Sequence, residues 1–186
     1  FTKESHWRFP IETTEDVLQR AARMFFARKG TKVNLVAGFP WFGRWGRDTF
    51  ISLPGLCIAL NDWRLFRLAI DTMLDDFKDG FFPNIGEGKQ AAYNSVDAPL
   101  WFFWTLQQYA YINDARKEVW QAYSHIMRNI LENFSEGVSN VRMDSNFLLW
   151  QGEEGKALTW MDAIIDGNPV TARKGYAVEI NALWYN

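Results

Sequence analysis

The segment from Ala37 to Phe50 holds the densest group of side chains suited to chemistry, and it reads A-G-F-P-W-F-G-R-W-G-R-D-T-F. An aspartate kept ionised by a neighbouring arginine accepts hydrogen bonds from hydroxyl groups, and an indole offers a flat apolar face to a sugar ring. The segment therefore predicts a sugar-binding loop, with contact residues Trp41, Trp45, Arg47 and Asp48. A structural role stays open, because Asp48 could instead cap the next helix while Arg47 pairs with it.

A second carboxylate, Asp162, directly follows two bulky apolar residues, Trp160 and Met161. If these side chains exclude water, they favour the protonated carboxyl, which is the form that the general acid of a glycosidase needs. This pattern makes Asp162 a candidate proton donor and Trp160 a candidate substrate contact. The alternative is a loop aspartate that caps a turn, and spacing alone does not separate the two interpretations.

Two further carboxylates stand near the predicted starts of helices. Asp97 lies in Y-N-S-V-D-A-P-L-W, where it is well placed to cap the helix that has Pro99 in its first turn. Glu179 follows P-V-T-A-R-K-G and lies early in a helix, where its charge suits the helix dipole. Capping and dipole effects would explain both residues, and substrate binding by Asp97, Glu179 and the nearby Arg173 is the functional alternative.

Composition argues against several classes of partner. The 186 residues include 20 Lys plus Arg and 22 Asp plus Glu, a net charge of −2 without a long run of one sign, so we expect neither nucleic acid nor an anionic membrane as partner. No apolar run is long enough to span a bilayer, and residues 1–20 lack the layout of a signal peptide. The single cysteine, Cys57, fits a reducing compartment, and we predict a cytoplasmic protein.

The sequence predicts neither a metal site nor a cofactor. Its two histidines are scattered and lie outside any motif with the spacing of metal ligands. The run Gly86-x-Gly88-x-x-Ala91 matches the dinucleotide fingerprint in letters, but no predicted strand or βαβ unit surrounds it.

Apolar residues recur at helical spacing in six segments. These predict helices over 14–29, about 49–60, about 63–78, about 97–112, 115–134, and from near Gly175 onward. Caps are predicted at Thr13 and Asp62. Long loops rich in Gly and Pro separate the helices at 30–47, 79–96 and 137–174, the last with strand-like pieces around Val141 and Leu148. Such alternation of short turns and long loops indicates helical hairpins whose functional loops gather at one end.

Four motifs, in this order, resemble the amylo-α-1,6-glucosidase domain of glycogen debranching enzymes. They are G-F-P-W-F-G-R-W-G-R-D-T-F-I-S-L-P-G-L, Y-N-S-V-D-A-P-L-W-F, L-T-W-M-D-A and P-V-T-A-R-K-G-Y-A-V-E-I-N-A-L-W-Y-N, and the resemblance runs from about Ala37 to Asn186. It implies an all-α (α/α)6 toroid, of which residues 1–186 would form a single partial domain, about the first half. It also implies inverting hydrolysis of α-1,6-linked glucose in glycogen, limit dextrin or a related α-glucan.

The resemblance also implies how the site residues divide their roles. Arg47 and Asp48 look like the Arg-Asp pair that grips the terminal glucose in glucoamylase-type toroids, and Asp162 becomes the general acid. The general base is expected in the remainder of the full-length chain, so the isolated fragment should be inactive, and Glu179 is the only stand-in within this sequence. One departure is Thr171-Ala172-Arg173, where family members commonly read T-P-R, and it leaves the placement of Arg173 open.

Two other functions compete with hydrolysis. A disaccharide phosphorylase of the same toroidal shape would need only one acid, and Arg44 with Lys174 would be its sparse phosphate cradle. A non-catalytic glycogen-binding fragment would keep the sugar contacts and lack catalysis. Glucose release by the full-length parent, with and without phosphate, separates the three possibilities.

Overall fold

A computed structural model describes residues 13–39 and 41–186 of the chain. Its helices are α1 Thr14–Met24, α2 Gly46–Leu60, α3 Trp63–Leu74, α4 Asp97–Ile112, α5 Arg116–Glu136 and α6 Val178–Tyr185, with a 3-10 turn at Gly88–Gln90. Its strands are β1 Phe26–Lys29, β2 Lys32–Gly38, β3 Phe42–Arg44, β4 Val141–Met143, β5 Leu149–Gln151, β6 Ile164–Ile165 and β7 Asn168–Pro169.

The strands overturn the prediction of an all-α toroid. Within the described residues they form one sheet in the order β1-β2-β3 and two hairpins, β4-β5 and β6-β7, all antiparallel. The fold is therefore a mixture of helices and small sheets. The strand-like pieces expected near Val141 and Leu148 correspond to β4 and β5, but the sheet between α1 and α2 was not predicted.

The predicted helix over 14–29 is wrong in its last third, because α1 ends at Met24. Gly30 adopts a positive φ of 62° in the two-residue turn that pairs Lys29 with Lys32, so residues 26–29 form a strand instead. The helical spacing over 14–29 also predicted one buried apolar face, and the structure contradicts much of it. Val17, Leu18 and Met24 are 41%, 63% and 58% exposed, and only Ala22 of α1 is buried.

Two predicted caps are confirmed, and both lie at helix starts. Thr13 accepts a hydrogen bond from the backbone of Asp16 at 3.2 Å, and Asp62 accepts one from the backbone of Leu65 at 2.9 Å. These bonds satisfy amide groups that have no partner within their own helix, which is why α1 and α3 begin where they do.

Pro54 lies inside α2, and the structure compensates for its missing N–H. The carbonyl of Phe50, one turn earlier, would normally accept a hydrogen bond from residue 54. Instead it accepts one from the hydroxyl of Thr105, a fully buried residue of α4. The proline thus helps to join α2 to α4.

An aromatic cluster strengthens the same helix pair. The ring centroids of Phe50 and Phe82 are 4.8 Å apart, those of Phe82 and Phe102 are 5.0 Å apart, and all three side chains are fully buried. Edge and tilted contacts of this kind add to the stabilisation that burial provides. Because the cluster holds α2 against α4, the first turns of the two helices lie side by side.

Among the described residues, no helix combines the length and the apolar composition that crossing a membrane requires.

Candidate functional site

The start of α2 is held against the loop that precedes α4. The backbone N–H of Gly46 donates to the carbonyl of Asn84 at 2.9 Å, and Trp45 forms a bridge with Ile85. A Cβ atom at position 46 would lie only 2.4 Å from the carbonyl oxygen of Pro83, so the approach requires glycine. This contact points the first turn of α2, with Arg47 and Asp48, towards the start of α4.

Arg47 is the centre of the site. Its side chain is almost buried, and its Nε and Nη2 atoms donate to the two carboxylate oxygens of Asp97 at 2.5 and 3.0 Å. Its remaining nitrogen, Nη1, donates to Asp162 at 3.1 Å. Burial acts to lower the pKa of Arg47, but the hydrogen bonds and charges of Asp97 and Asp162 outweigh it and raise the pKa. The guanidinium therefore stays charged and connects three distant parts of the chain.

Both carboxylate oxygens of Asp97 accept hydrogen bonds from Arg47. Asp97 is 2% exposed, and it also accepts a hydrogen bond from the hydroxyl of Ser95. Ser95 in turn accepts from the backbone N–H of Ala98 at 3.2 Å, which is the kind of bond that the capping interpretation assigned to Asp97. Sequence reasoning missed Ser95, although a serine just before a helical segment is a known signal for a helix start.

Asp48 follows Arg47 in the first turn of α2. Burial raises the pKa of Asp48, Arg47 opposes the rise, and the charges of Asp162 and Asp97 add to it. The side chain of Asp162 is 24% exposed and accepts a hydrogen bond from Arg47. The sequence predicted that Trp160 and Met161 shield Asp162 from water, and the structure shows Trp160 beside Asp162 in the same cavity but itself 54% exposed.

One cavity of about 340 Å³ brings most of these groups together, and we call it the Arg47 cavity. Its lining residues are Ala37, Phe42, Trp45, Arg47, Asp48, Trp160 and Asp162. Its volume is at the lower end of the roughly 300–1,000 Å³ typical of small-molecule sites. Of the predicted contacts, Trp41 lies apart from this lining and is 86% exposed. Sequence reasoning missed Phe42, whose ring meets that of Trp45 edge-on at 6.3 Å.

A second cavity, of about 290 Å³, adjoins the first. Arg47 and Asp48 line both cavities, and the other walls are mostly apolar side chains of β2 and α2, including Leu35, Ile51 and Leu56. Asp48 thus borders a cavity of mixed charged and aromatic lining on one side and a mostly apolar cavity on the other, which agrees with the burial that raises its pKa.

Arg173 and Glu179 form a separate pair outside the Arg47 cavity. Two nitrogens of Arg173 donate to the two carboxylate oxygens of Glu179, one of them at 2.7 Å, and Nη1 also donates to the Thr159 hydroxyl at 3.3 Å. The hydrogen bond from Arg173 is the main cause that lowers the pKa of Glu179, and Trp160 contributes to the same effect. The pair therefore supports the segment that carries Trp160.

Arg44, one of the two residues expected in a phosphate cradle, has a structural position. It is 5% exposed, and its Nη2 atom donates to Asp76 at 2.6 Å and to the carbonyl of Gly86 at 2.8 Å. These contacts join β3 to the loop after α3. They leave the guanidinium of Arg44 inside the protein, away from a phosphate in solution.

Comparison with known proteins decides the family, because residues 13–186 match the family model described as Amylo-alpha-1,6-glucosidase. The chain belongs to the amylo-α-1,6-glucosidase family. It is also similar to the glycogen debranching enzyme of Saccharomyces cerevisiae (strain ATCC 204508 / S288c), at 26% identity over 211 residues. That alignment covers 81% of this chain and 14% of the yeast protein, so the chain spans a small part of the relative's length.

Proposed function

We propose that this domain, within its full-length parent, removes α-1,6-linked glucose from branch points of glycogen, limit dextrin or a related α-glucan, with inversion at the anomeric carbon. The observation that carries the proposal is the Arg47 cavity, which combines Asp48, Asp162, one buried arginine and two indoles. Carboxylates and guanidinium groups bind sugar hydroxyls, while indoles pack against the C–H groups of the ring. The family to which the chain belongs supports the same substrate class.

In this proposal Asp48 and Arg47 grip the terminal glucose. Asp48 is partly buried and faces the cavity, and a sugar hydroxyl that donates to it would replace water at a carboxylate that burial penalises. Arg47 keeps its bidentate pair with Asp97, and its Nη1 atom holds Asp162 in place through a hydrogen bond of 3.1 Å. Trp45 and Trp160 provide the apolar walls.

Asp162 is the proposed general acid. Asp162 lines the Arg47 cavity beside Trp160, and one of its carboxylate oxygens accepts a hydrogen bond from Arg47 at 3.1 Å. A glucoside that enters the cavity would exclude water from the space around this carboxyl. With the proton on its carboxyl, Asp162 gives it to the glycosidic oxygen as the bond to the anomeric carbon breaks.

The general base is assigned to the remainder of the parent chain. Inversion needs a second carboxylate that activates water on the opposite face of the sugar, roughly 6.5–9.5 Å from the acid. Glu179 is a poor choice, because both of its oxygens bind Arg173. We therefore expect the isolated fragment to bind glucan without cleaving it.

The full-length parent tests this function with limit dextrin as substrate. We expect free glucose at the same rate with and without added phosphate, and the glucose first formed should be the β-anomer, measured by proton NMR. Formation of glucose 1-phosphate, or a strict need for phosphate, would identify a phosphorylase. Binding without any release of sugar would leave only the glucan-binding role.

A further inference from the structure

A third cavity, of about 360 Å³, lies between the end of α5 and the β4-β5 hairpin, and it shares no lining residue with the Arg47 cavity. We call it the Trp150 cavity. Its walls combine the Trp150 indole with the polar side chains of Asn140, Arg142 and Glu153 and with the backbone at the end of α5. An aromatic wall, a guanidinium, a carboxylate and an amide are also the types of group that a sugar contacts.

The hairpin holds these groups in fixed positions. Arg142 and Trp150 are direct partners across β4 and β5, and the guanidinium carbon lies 4.1 Å from the indole centroid. Asn140 is 9% exposed, and its side-chain amide donates to Glu153 at 3.2 Å. The backbone N–H of Gly152 donates to the carbonyl of Asn140 at 2.9 Å. A cavity whose polar groups are already fixed loses little conformational entropy on binding a ligand.

Both charged residues that line this cavity have a partner of opposite charge. Arg142 donates to Asp144 at 2.9 Å, and Lys156 lies 2.6 Å from Glu153. A further cation, Lys174, lies 6.0 Å from the centroid of the Trp150 indole but is not part of the lining. The lining therefore favours a neutral ligand with many hydroxyl groups over a phosphate or a metal ion.

Backbone pairing connects the Trp150 cavity to the segment beside the proposed catalytic site. Gln151 and Gly175 exchange two backbone hydrogen bonds, of 3.1 and 2.7 Å. Gly175 closely follows Arg173, which binds Glu179 and Thr159 next to Trp160. One set of loops therefore supports both cavities, and a branched or extended glucan is a ligand with sugar units for both.

We propose that the Trp150 cavity is a second α-glucan-binding site, which holds glucose units remote from the bond that is cleaved. The identity of the ligand rests on the proposed function, whereas the site rests on the residues described above. Trp150 provides the apolar wall, and Asn140, Arg142 and Glu153 exchange hydrogen bonds with the hydroxyls.

The test compares glycogen binding by full-length variants that do not turn over the ligand. In a background of Asp162→Asn, the Trp150→Ala variant should bind glycogen about tenfold more weakly in affinity electrophoresis, which corresponds to about 1.4 kcal/mol. Trp120→Ala is the matched control, because Trp120 is an exposed tryptophan under an arginine, Arg128 at 5.2 Å, yet it lines none of the three cavities described for residues 13–39 and 41–186. Its binding should equal that of the background.

A second variant, Glu153→Gln, keeps the proposal testable if Trp150→Ala fails to fold. The side chain of Glu153 is 40% exposed, so the amide should fold normally while it weakens the hydrogen bonds to sugar hydroxyls, and we expect a loss of about threefold. Wild-type affinity in Glu153→Gln and in folded Trp150→Ala overturns the proposal, as does an equal loss in Trp120→Ala. Absence of glucose release by the parent would overturn the catalytic proposal alone, because this comparison measures binding.

Discussion

Arg44 and Arg47 are close neighbours in the chain, both nearly buried and both paired with an aspartate, yet they belong to different kinds of structure. Arg44 binds Asp76, whose other oxygen accepts from the backbone of Gly88 at 3.0 Å, so this pair joins β3 to two loops. Arg47 binds Asp97 and has a further nitrogen on an aspartate that lines a cavity. In the proposed function the Arg47 pair therefore belongs to the site, because it borders a cavity lined by two further carboxylates, whereas the Arg44 pair is structural.

Replacement of Arg47 should have the largest effect on both stability and glucose release. Arg47→Met leaves Asp97, which is 2% exposed, as a charge without its partner, and loss of one member of a buried ion pair costs about 3–5 kcal/mol. Asp162 loses the hydrogen bond from Arg47 at the same time. We expect a large fall in the free energy of unfolding, measured by urea denaturation, and no measurable glucose release from limit dextrin. A stable and active Arg47→Met variant would place the site elsewhere.

Replacement of Arg44 should affect stability alone. Asp76 keeps 16% of its side chain exposed and retains its bond from Gly88, so Arg44→Met should cost less, about 1–3 kcal/mol. Turnover of limit dextrin per folded molecule should stay close to that of the wild type. A large loss of turnover per folded molecule would remove the distinction between the two arginines.

Asp48→Asn should reduce activity while it increases stability at neutral pH. The lost charged hydrogen bond to the sugar corresponds to about 1.5–3 kcal/mol, seen as a higher KM and a lower kcat. Because burial raises the pKa of Asp48 in the folded state, the wild type loses stability as the pH rises from the ordinary value of the carboxyl through the folded value. The asparagine variant lacks this loss, so urea denaturation should show its advantage at pH 7 and none at pH 3. A lower stability at pH 7 would contradict the assigned effect of burial.

Replacement of the two tryptophans of the 37–50 segment should have the smallest effects. Comparing the two variants tests which indole lies in the substrate site. Trp45 lines the Arg47 cavity, whereas Trp41 is 86% exposed and lies apart from its lining. Trp45→Ala should raise the KM for limit dextrin about tenfold, and Trp41→Ala should raise it less. The reverse order would make Trp41 the more important of the two stacking residues that the sequence predicted.

Residue types near helix starts predicted two helix caps correctly, whereas the roles of the predicted site residues stay predictions. Asp62 caps α3 as predicted, and Trp45, Arg47, Asp48, Trp160 and Asp162 from different segments line one cavity. The partner of Asp97 was not predictable, because its pairing with Arg47 depends on the packing of α2 against α4. An aspartate at the start of a helix can be a cap or an ion-pair partner, and only its tertiary contacts distinguish the two roles.

The sheet between α1 and α2 was missed for a different reason. Residues 26–29 continue the mixture of apolar and basic residues that precedes them, so helical spacing extends through them on paper. Their strand conformation comes from pairing with β2 across the turn at Gly30, and from the bond between Val36 and the carbonyl of Phe25 at 2.8 Å. Such pairing is tertiary information that overrides local periodicity.

The most direct test of the account is the kinetics of Asp162→Asn in the full-length parent on two substrates. On limit dextrin, whose leaving oxygen needs a proton, the loss of a general acid should lower kcat by about 10²–10⁴. On α-glucosyl fluoride, whose leaving group needs little assistance, the variant should stay close to the wild type. An equal loss on both substrates would contradict the account, because it would make Asp162 a residue that only holds the sugar beside Arg47.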